Sequence, residues 1–199
     1  MLIQVMELIR QNLNAFIAAS IPLSDHEPVV LGNIAFPTPD NPGTPGIDES
    51  GQIYLSLVNV EEEQTFKNLD SVRQSEIRPL ANVNPPLYIN LFLLFSANHK
   101  DYTMAIKHLG LVLLFFQANR SFSIARTPVA ATGIFAKPGG KENNILINVD
   151  LMSLTFEQLH HLWGSLGGKQ QPFLLFKVRQ VEIDANRMLE GGGLITEPK

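Results

Sequence analysis

The sequence contains no cysteine. That excludes disulfide frameworks, thiolate metal sites and cysteine nucleophiles, and leaves packing alone to hold the fold, with a mild lean toward the cytosol. Charge is scarce too: Asp, Glu, Lys and Arg make up 17% of 199 residues, against roughly 25% in ordinary soluble proteins. With 45% of the chain hydrophobic, part of the surface is expected to be hidden in an oligomer. No cationic excess exists either. The net charge is -4 and the 15 Lys and Arg are scattered, so no footprint for DNA or RNA is present. The longest apolar run, residues 109–116, follows Lys107 and His108 and is far shorter than the roughly 18 residues a membrane-spanning helix needs. Residues 1–10 lack the basic opening and cleavage site of a signal peptide and read as the start of a mature helix.

What the chain does have is a stretch, residues 85–117, that is almost wholly apolar. Residues 87–95 predict a strand greasy on both faces, which must be covered on both sides by its own domain or by copies of itself. The helix that follows is predicted to be capped by Asn98 with Asp101 three residues on. Tyr102, Ala105, Ile106, Leu109, Val112, Leu113 and Phe116 form its expected core face, with Leu111, Leu114 and Phe115 on the back. Upstream, Leu2, Met6, Ile9, Leu13, Phe16 and Ile17 recur at helical spacing over residues 2–19. Residues 21–51 are interrupted by Pro22, Pro28, Pro37, Pro39, Pro42 and Pro45, which predicts a long loop with at most a short extended piece at residues 29–31.

Residues 53–60 alternate Ile53, Leu55 and Leu57 against Tyr54, Ser56 and Val58, a strand ended by Glu61, Glu62 and Glu63. Phe66, Leu69 and Val72 suggest a short helix before Pro79. Residues 120–141 read as an extended hairpin or loop. Residues 144–151 place Ile145, Ile147, Val149 and Leu151 on one face of a strand. Thr155 and Gln158 form a capping box for a short helix through Trp163, stopped by Gly164, Gly167 and Gly168. The last strand, residues 172–183, is expected to alternate Val178, Gln180 and Glu182 against Arg179, Val181 and Ile183, with the length of an edge or inter-subunit strand. The sum is one α+β domain over residues 1–183, with a roughly four-stranded, mainly antiparallel sheet, about three helices, loop arms at 32–51 and 119–143, and a flexible tail at 184–199.

No constellation for catalysis or cofactor binding emerges. His160 and His161 are adjacent on a helix, point about 100° apart, and have no carboxylate three or four residues on, so a structural reading is preferred to a metal site. Glu61, Glu62 and Glu63 read as a solvated strand end rather than a paired-carboxylate centre. The glycines around Lys169 and Lys141 lack phosphate-loop spacing, and Gln170 and Glu142 stand where Ser or Thr would bind the metal ion. Tyr88, Asn90 and Phe92 read as packing beneath a helix before they read as a ligand pocket. The candidate partner contacts are Pro42 and Pro45 on the first arm, Arg120, Lys137 and Lys141 on the second, and Arg179, Glu182 and Ile183 on the last strand.

Taken in order, residues 57–63 with Lys67 and Asn68, residues 85–98, residues 113–117, residues 159–163 before Leu166 and Gly167, and residues 177–183 resemble the cap, or tube-terminator, proteins of phage-tail-like contractile injection systems. The resemblance covers nearly the whole chain. It implies a non-enzymatic hexameric ring, with no cofactor, that closes the inner tube and engages the last sheath layer, so that tube protein and sheath protein are its partners. It implies assembly in the bacterial cytoplasm and then residence in the particle. Some members carry a longer C-terminal extension, whereas the present sequence ends at Lys199. The alternative is a chaperone or adaptor that binds tube or sheath subunits transiently.

Overall fold

Leu91, Leu93 and Phe95 on one side of their strand, and Leu94 and Ser96 on the other, are all buried, so the two-sided grease of this segment is covered within one chain. The computed structural model describes residues 2–20, 27–35, 52–64, 87–123, 146–167 and 170–183. In chain order they form α1 (Leu2–Ser20), β1 (Val29–Leu31), β2 (Gln52–Glu62), β3 (Leu87–Asn98), α2 (Tyr102–Ala118), β4 (Ser121–Ser123), β5 (Leu146–Leu151), α3 (Phe156–Ser165) and β6 (Phe173–Ile183).

One sheet runs in the order β1-β2-β3-β6-β5-β4. All neighbours are antiparallel except β1, which is parallel to β2. The four long strands are those expected from the pattern. Two three-residue edge strands are added, β1 at the proposed extended piece and β4 at the start of the second arm. The α+β class stands, with a mixed sheet.

The two faces have different covers. On the first, α1 and α2 pack on Ile53, Leu55, Leu91, Leu93, Phe95, Ile147, Phe176 and Val178 in the main core. On the second, α3 brings Leu159, Leu162 and Trp163 onto Leu94, Leu175, Phe92 and Phe173. Thr155 begins α3 as expected, with its Oγ1 accepting from the Gln158 amide and the Gln158 side chain accepting from the Thr155 amide. The helix continues through Gly164 to Ser165, past the predicted stop, and the turn comes at Gly167, whose φ is 98°. That left-handed conformation suits glycine because it has no Cβ to clash.

Several expectations are corrected. The cap of α2 is Asp101, whose Oδ1 accepts from the Thr103 amide at 2.9 Å, while Asn98 remains the last residue of β3. The strand runs three residues beyond Phe95 because Ser96, Ala97 and Asn98 keep their ladder partners on β2. Glu61 and Glu62 lie inside β2 rather than after it, opposite Asn90 and Ile89. β6 is not an edge strand, since it is flanked by β3 and β5. Its alternation also breaks: Val178 pairs with Leu91 and Val181 with Ile89, so Arg179 and Gln180 together oppose Asn90. This β-bulge sends Val178 and Val181 to the same core. A second bulge at Val58 separates the Leu57 and Asn59 pairings of β2. The short helix proposed around Phe66, Leu69 and Val72 and the tail at 184–199 lie outside the described residues.

Candidate functional site

The helix α2 is apolar on more sides than one neighbour can cover. Its buried residues are Ala105, His108, Leu109, Val112, Phe115 and Phe116. The expected core face was therefore rotated: Phe115 is buried, while Tyr102, Ile106 and Leu113 are exposed. The cause is α1, which packs beside α2 and takes Phe115 against Phe16, ring centroids 5.5 Å apart. Phe116 faces the sheet, 5.5 Å from Phe95 and 4.3 Å from Phe176.

On the flank of α2 away from α1 lies an open groove of about 970 Å³. Leu111, Leu113, Leu114 and Phe116 form one wall and Val149, Leu151 and Phe176 the other. Leu114 is 56% and Leu151 54% exposed, although Leu151 lies in line with the buried Ile147 and Val149. The sheet side of β5 thus outruns its helical cover. Lys107, Gln117, Arg120 and Asp150 also line the groove. Such a contiguous apolar surface with a polar, charged border has the character of a contact surface for another macromolecule.

The second face is polar where α3 does not reach. Lys177 Nζ lies 2.9 Å from Glu61 Oε2 and 5.2 Å from the centre of the Phe92 ring. Arg179 Nε lies 2.8 Å from Asp150 Oδ2. Asn90, buried, donates from Nδ2 to Glu63 Oε2 at 2.8 Å. Phe92 packs with the α3 cluster, as expected of residues beneath a helix, and Asn90 belongs to this polar end instead.

The candidate contact residues are scattered by the fold. Arg120 sits at the groove and is exposed, whereas Arg179 is exposed on the opposite face of the sheet. The backbones of Glu182 and Ile183 pair with Tyr88 and Leu87. Pro42, Pro45, Lys137 and Lys141 lie outside the described residues. His160 and His161 are exposed. The carboxylate that the spacing argument sought ahead of them lies behind: Glu157 Oε1 is 3.9 Å from His161 Nε2, one turn earlier, with both side chains exposed. Among the described residues, no group of three or more His, Asp or Glu side chains could hold a metal ion, and no helix is long and apolar enough to cross a membrane.

The groove escaped the sequence reading because its two walls, Leu111 to Phe116 and Val149 onward, are far apart in the chain and only the sheet order brings them together. A histidine buried among the described residues was also missed. His108 is on the buried side of α2, its ring centroid 5.8 Å from that of His99. Burial, with a smaller contribution from His99, holds its pKa below the ordinary histidine value.

Residues 4–197 match the family model described as the Pvc16 N-terminal domain. The chain belongs to this family. No curated protein matches the sequence. Among solved structures, the fold is similar to the PVC sheath/tube terminator in its extended state, from an extracellular contractile injection system, with a TM-score of 0.53 and 13% identity over 92% of this chain. It also has a weaker likeness to the tube-terminating cap of the anti-feeding prophage, with a TM-score of 0.40 and 16% identity over 67% of this chain. The chain spans 56% of the first structure and 42% of the second.

Proposed function

We propose that this member of the Pvc16 N-terminal domain family is a structural subunit of the cap that ends the inner tube of a contractile injection particle and ties the last sheath layer to it. Family membership over residues 4–197 carries the reading, and the shared fold with a sheath/tube terminator agrees with it. In this reading six copies close into a ring, which assembles in the bacterial cytoplasm and stays in the finished particle. Its partners are tube protein and sheath protein.

The surface supports a role in assembly. A groove walled by five aliphatic side chains and two phenylalanines, with Lys107, Arg120 and Asp150 at its border, offers area for burial between macromolecules. The polar end of the second face, with Arg179, Asp150, Lys177 and Glu61, offers directional contacts for a second partner. His160, His161, Glu61 and Glu62 stand exposed, and Glu63 accepts from Asn90.

The test is imaging of particles made with and without this chain. A terminator gives tubes of controlled length when present and of uncontrolled length when absent, and is retained in purified particles. A transient chaperone or adaptor would be missing from finished particles while still being required for their assembly.

A further inference from the structure

Phe156, the first residue of α3, is 90% exposed. It stands beside Glu157, whose side chain is 86% exposed. The ring is too large to be left in water without cost, since burying a phenylalanine is worth roughly 1.5–3 kcal/mol, and none of the described residues covers it. The groove between α2 and β5 is its complement in two respects. It is apolar where Phe156 is apolar, and it carries Lys107 and Arg120 where the projection carries Glu157, while its carboxylate, Asp150, is ion-paired with Arg179.

We infer that the groove of one copy receives Phe156 of a second copy, with Glu157 set against Lys107 and Arg120. This rests on the reading of the chain as a self-assembling cap subunit. The occupant is a second copy because each chain holds both halves of the contact, matched in polarity and charge. The halves lie on opposite sides of the sheet: the groove belongs to the α1/α2 face and α3 to the other. A self-complementary patch would close a pair and stop. A projection and a groove on different faces make a head-to-tail contact, which repeats from copy to copy until the rotation closes it into a ring.

One phenylalanine buries only about 150–250 Å², and a stable interface needs roughly 1,000 Å² or more. Phe156 is therefore the anchor, and exposed Leu113, Leu114 and Ile106 supply the surrounding apolar area.

The absence of cysteine gives a clean test. A chain carrying both Phe156→Cys and Leu114→Cys, oxidised after assembly, is expected to give a ladder of covalent species beyond the dimer, while either single variant stops at the dimer. In light scattering, Phe156→Ser is expected to weaken self-association by roughly 30-fold, the loss of an interface anchor, with an unchanged circular dichroism spectrum. Glu157→Lys is expected to weaken it too, and Lys107→Glu with Arg120→Glu to restore it in that background. Normal assembly of Phe156→Ser, with no ladder from the double variant, overturns the inference and leaves the cap reading in place. A Leu114→Cys thiol that is unreactive even in the monomer means the chain's own residues fill the groove, and also overturns it. A wild-type chain that neither self-associates nor binds tube ends removes both.

Discussion

Asn14 of α1 holds both backbone groups of Val29: its Nδ2 donates to the Val29 carbonyl at 3.0 Å and its Oδ1 accepts from the Val29 amide at 2.9 Å. The side chain stands in for a neighbouring strand. It satisfies the outer side of a three-residue parallel strand at the sheet edge, where an unpaired backbone group is both costly and open to wrong pairing. Arg10 adds ion pairs to Glu7 and Glu27 just before that strand.

Asn14→Ala is expected to lower stability by about 1–3 kcal/mol, the cost of leaving buried partners unpaired. Asn14→Asp keeps the acceptor but puts a carboxylate against the Val29 carbonyl, and is expected to be no better. Urea denaturation gives the magnitude. Hydrogen exchange at the Val29 amide gives the location, since exchange there should quicken more than in β3.

Gly32 and Gly164 are expected to respond to alanine with opposite signs. A Cβ at Gly32 would meet Tyr54 Cδ1 at 2.6 Å, and Tyr54 is buried, so Gly32→Ala forces a shift and is expected to cost about 1–3 kcal/mol. At Gly164, within α3, an added Cβ meets nothing within 4 Å. Gly164→Ala is expected to stabilise by about 0.5–1 kcal/mol through helix propensity. Thermal melts of the two variants decide the sign in each case.

Acid is expected to loosen α2. The folded-state pKa of His108 is held below its value in the unfolded chain, chiefly by burial and then by the charge of His99. Folding then excludes a proton that the unfolded chain accepts. The stability is present above the unfolded histidine value of about 6.5 and is lost as pH falls through the lower folded value. His108→Phe is expected to flatten this dependence, which stability measurements between about pH 7.5 and 5 would resolve.

The ion pairs on the second face are expected to add little to stability. Arg179 and Asp150 are each about half exposed, at 52% and 50%, and exposed pairs contribute about 0–1 kcal/mol. Arg179→Ala should therefore leave the melting temperature nearly unchanged. If particles assembled with that variant lose sheath attachment, the side chain acts at a partner contact. Unchanged attachment would remove Arg179 from the candidate contacts.

The regular part of the fold was readable because period and burial agree. Ile53, Leu55 and Leu57, and likewise Ile147 and Val149, alternate toward one core, and Thr155 with Gln158 marks the start of α3 with two reciprocal bonds. Where the reading failed, a tertiary neighbour or a non-local bond intervened. The core face of α2 cannot be fixed from an almost uniformly apolar helix, since it depends on α1 taking Phe115. The residues of β4 pair with partners more than twenty positions away, and three residues carry too little pattern to declare themselves. The candidate site was the least readable part, because Leu114 and Leu151 are ordinary core-like leucines whose exposure follows only from how far the helix reaches across the sheet.

The two bulges bear on how lengths compare within the family. Removing either Arg179 or Gln180 would leave one residue opposite Asn90 and return β6 to regular pairing, with Val178 and Val181 still directed to the same core. Removing Val58 would do the same for β2. A single-residue gap in an alignment is therefore neutral for the sheet at these two points. The same gap between Leu91 and Phe95 would exchange inside for outside over the rest of the strand. Within the described strands, the bulges are places where this chain could lose one residue and keep its sheet.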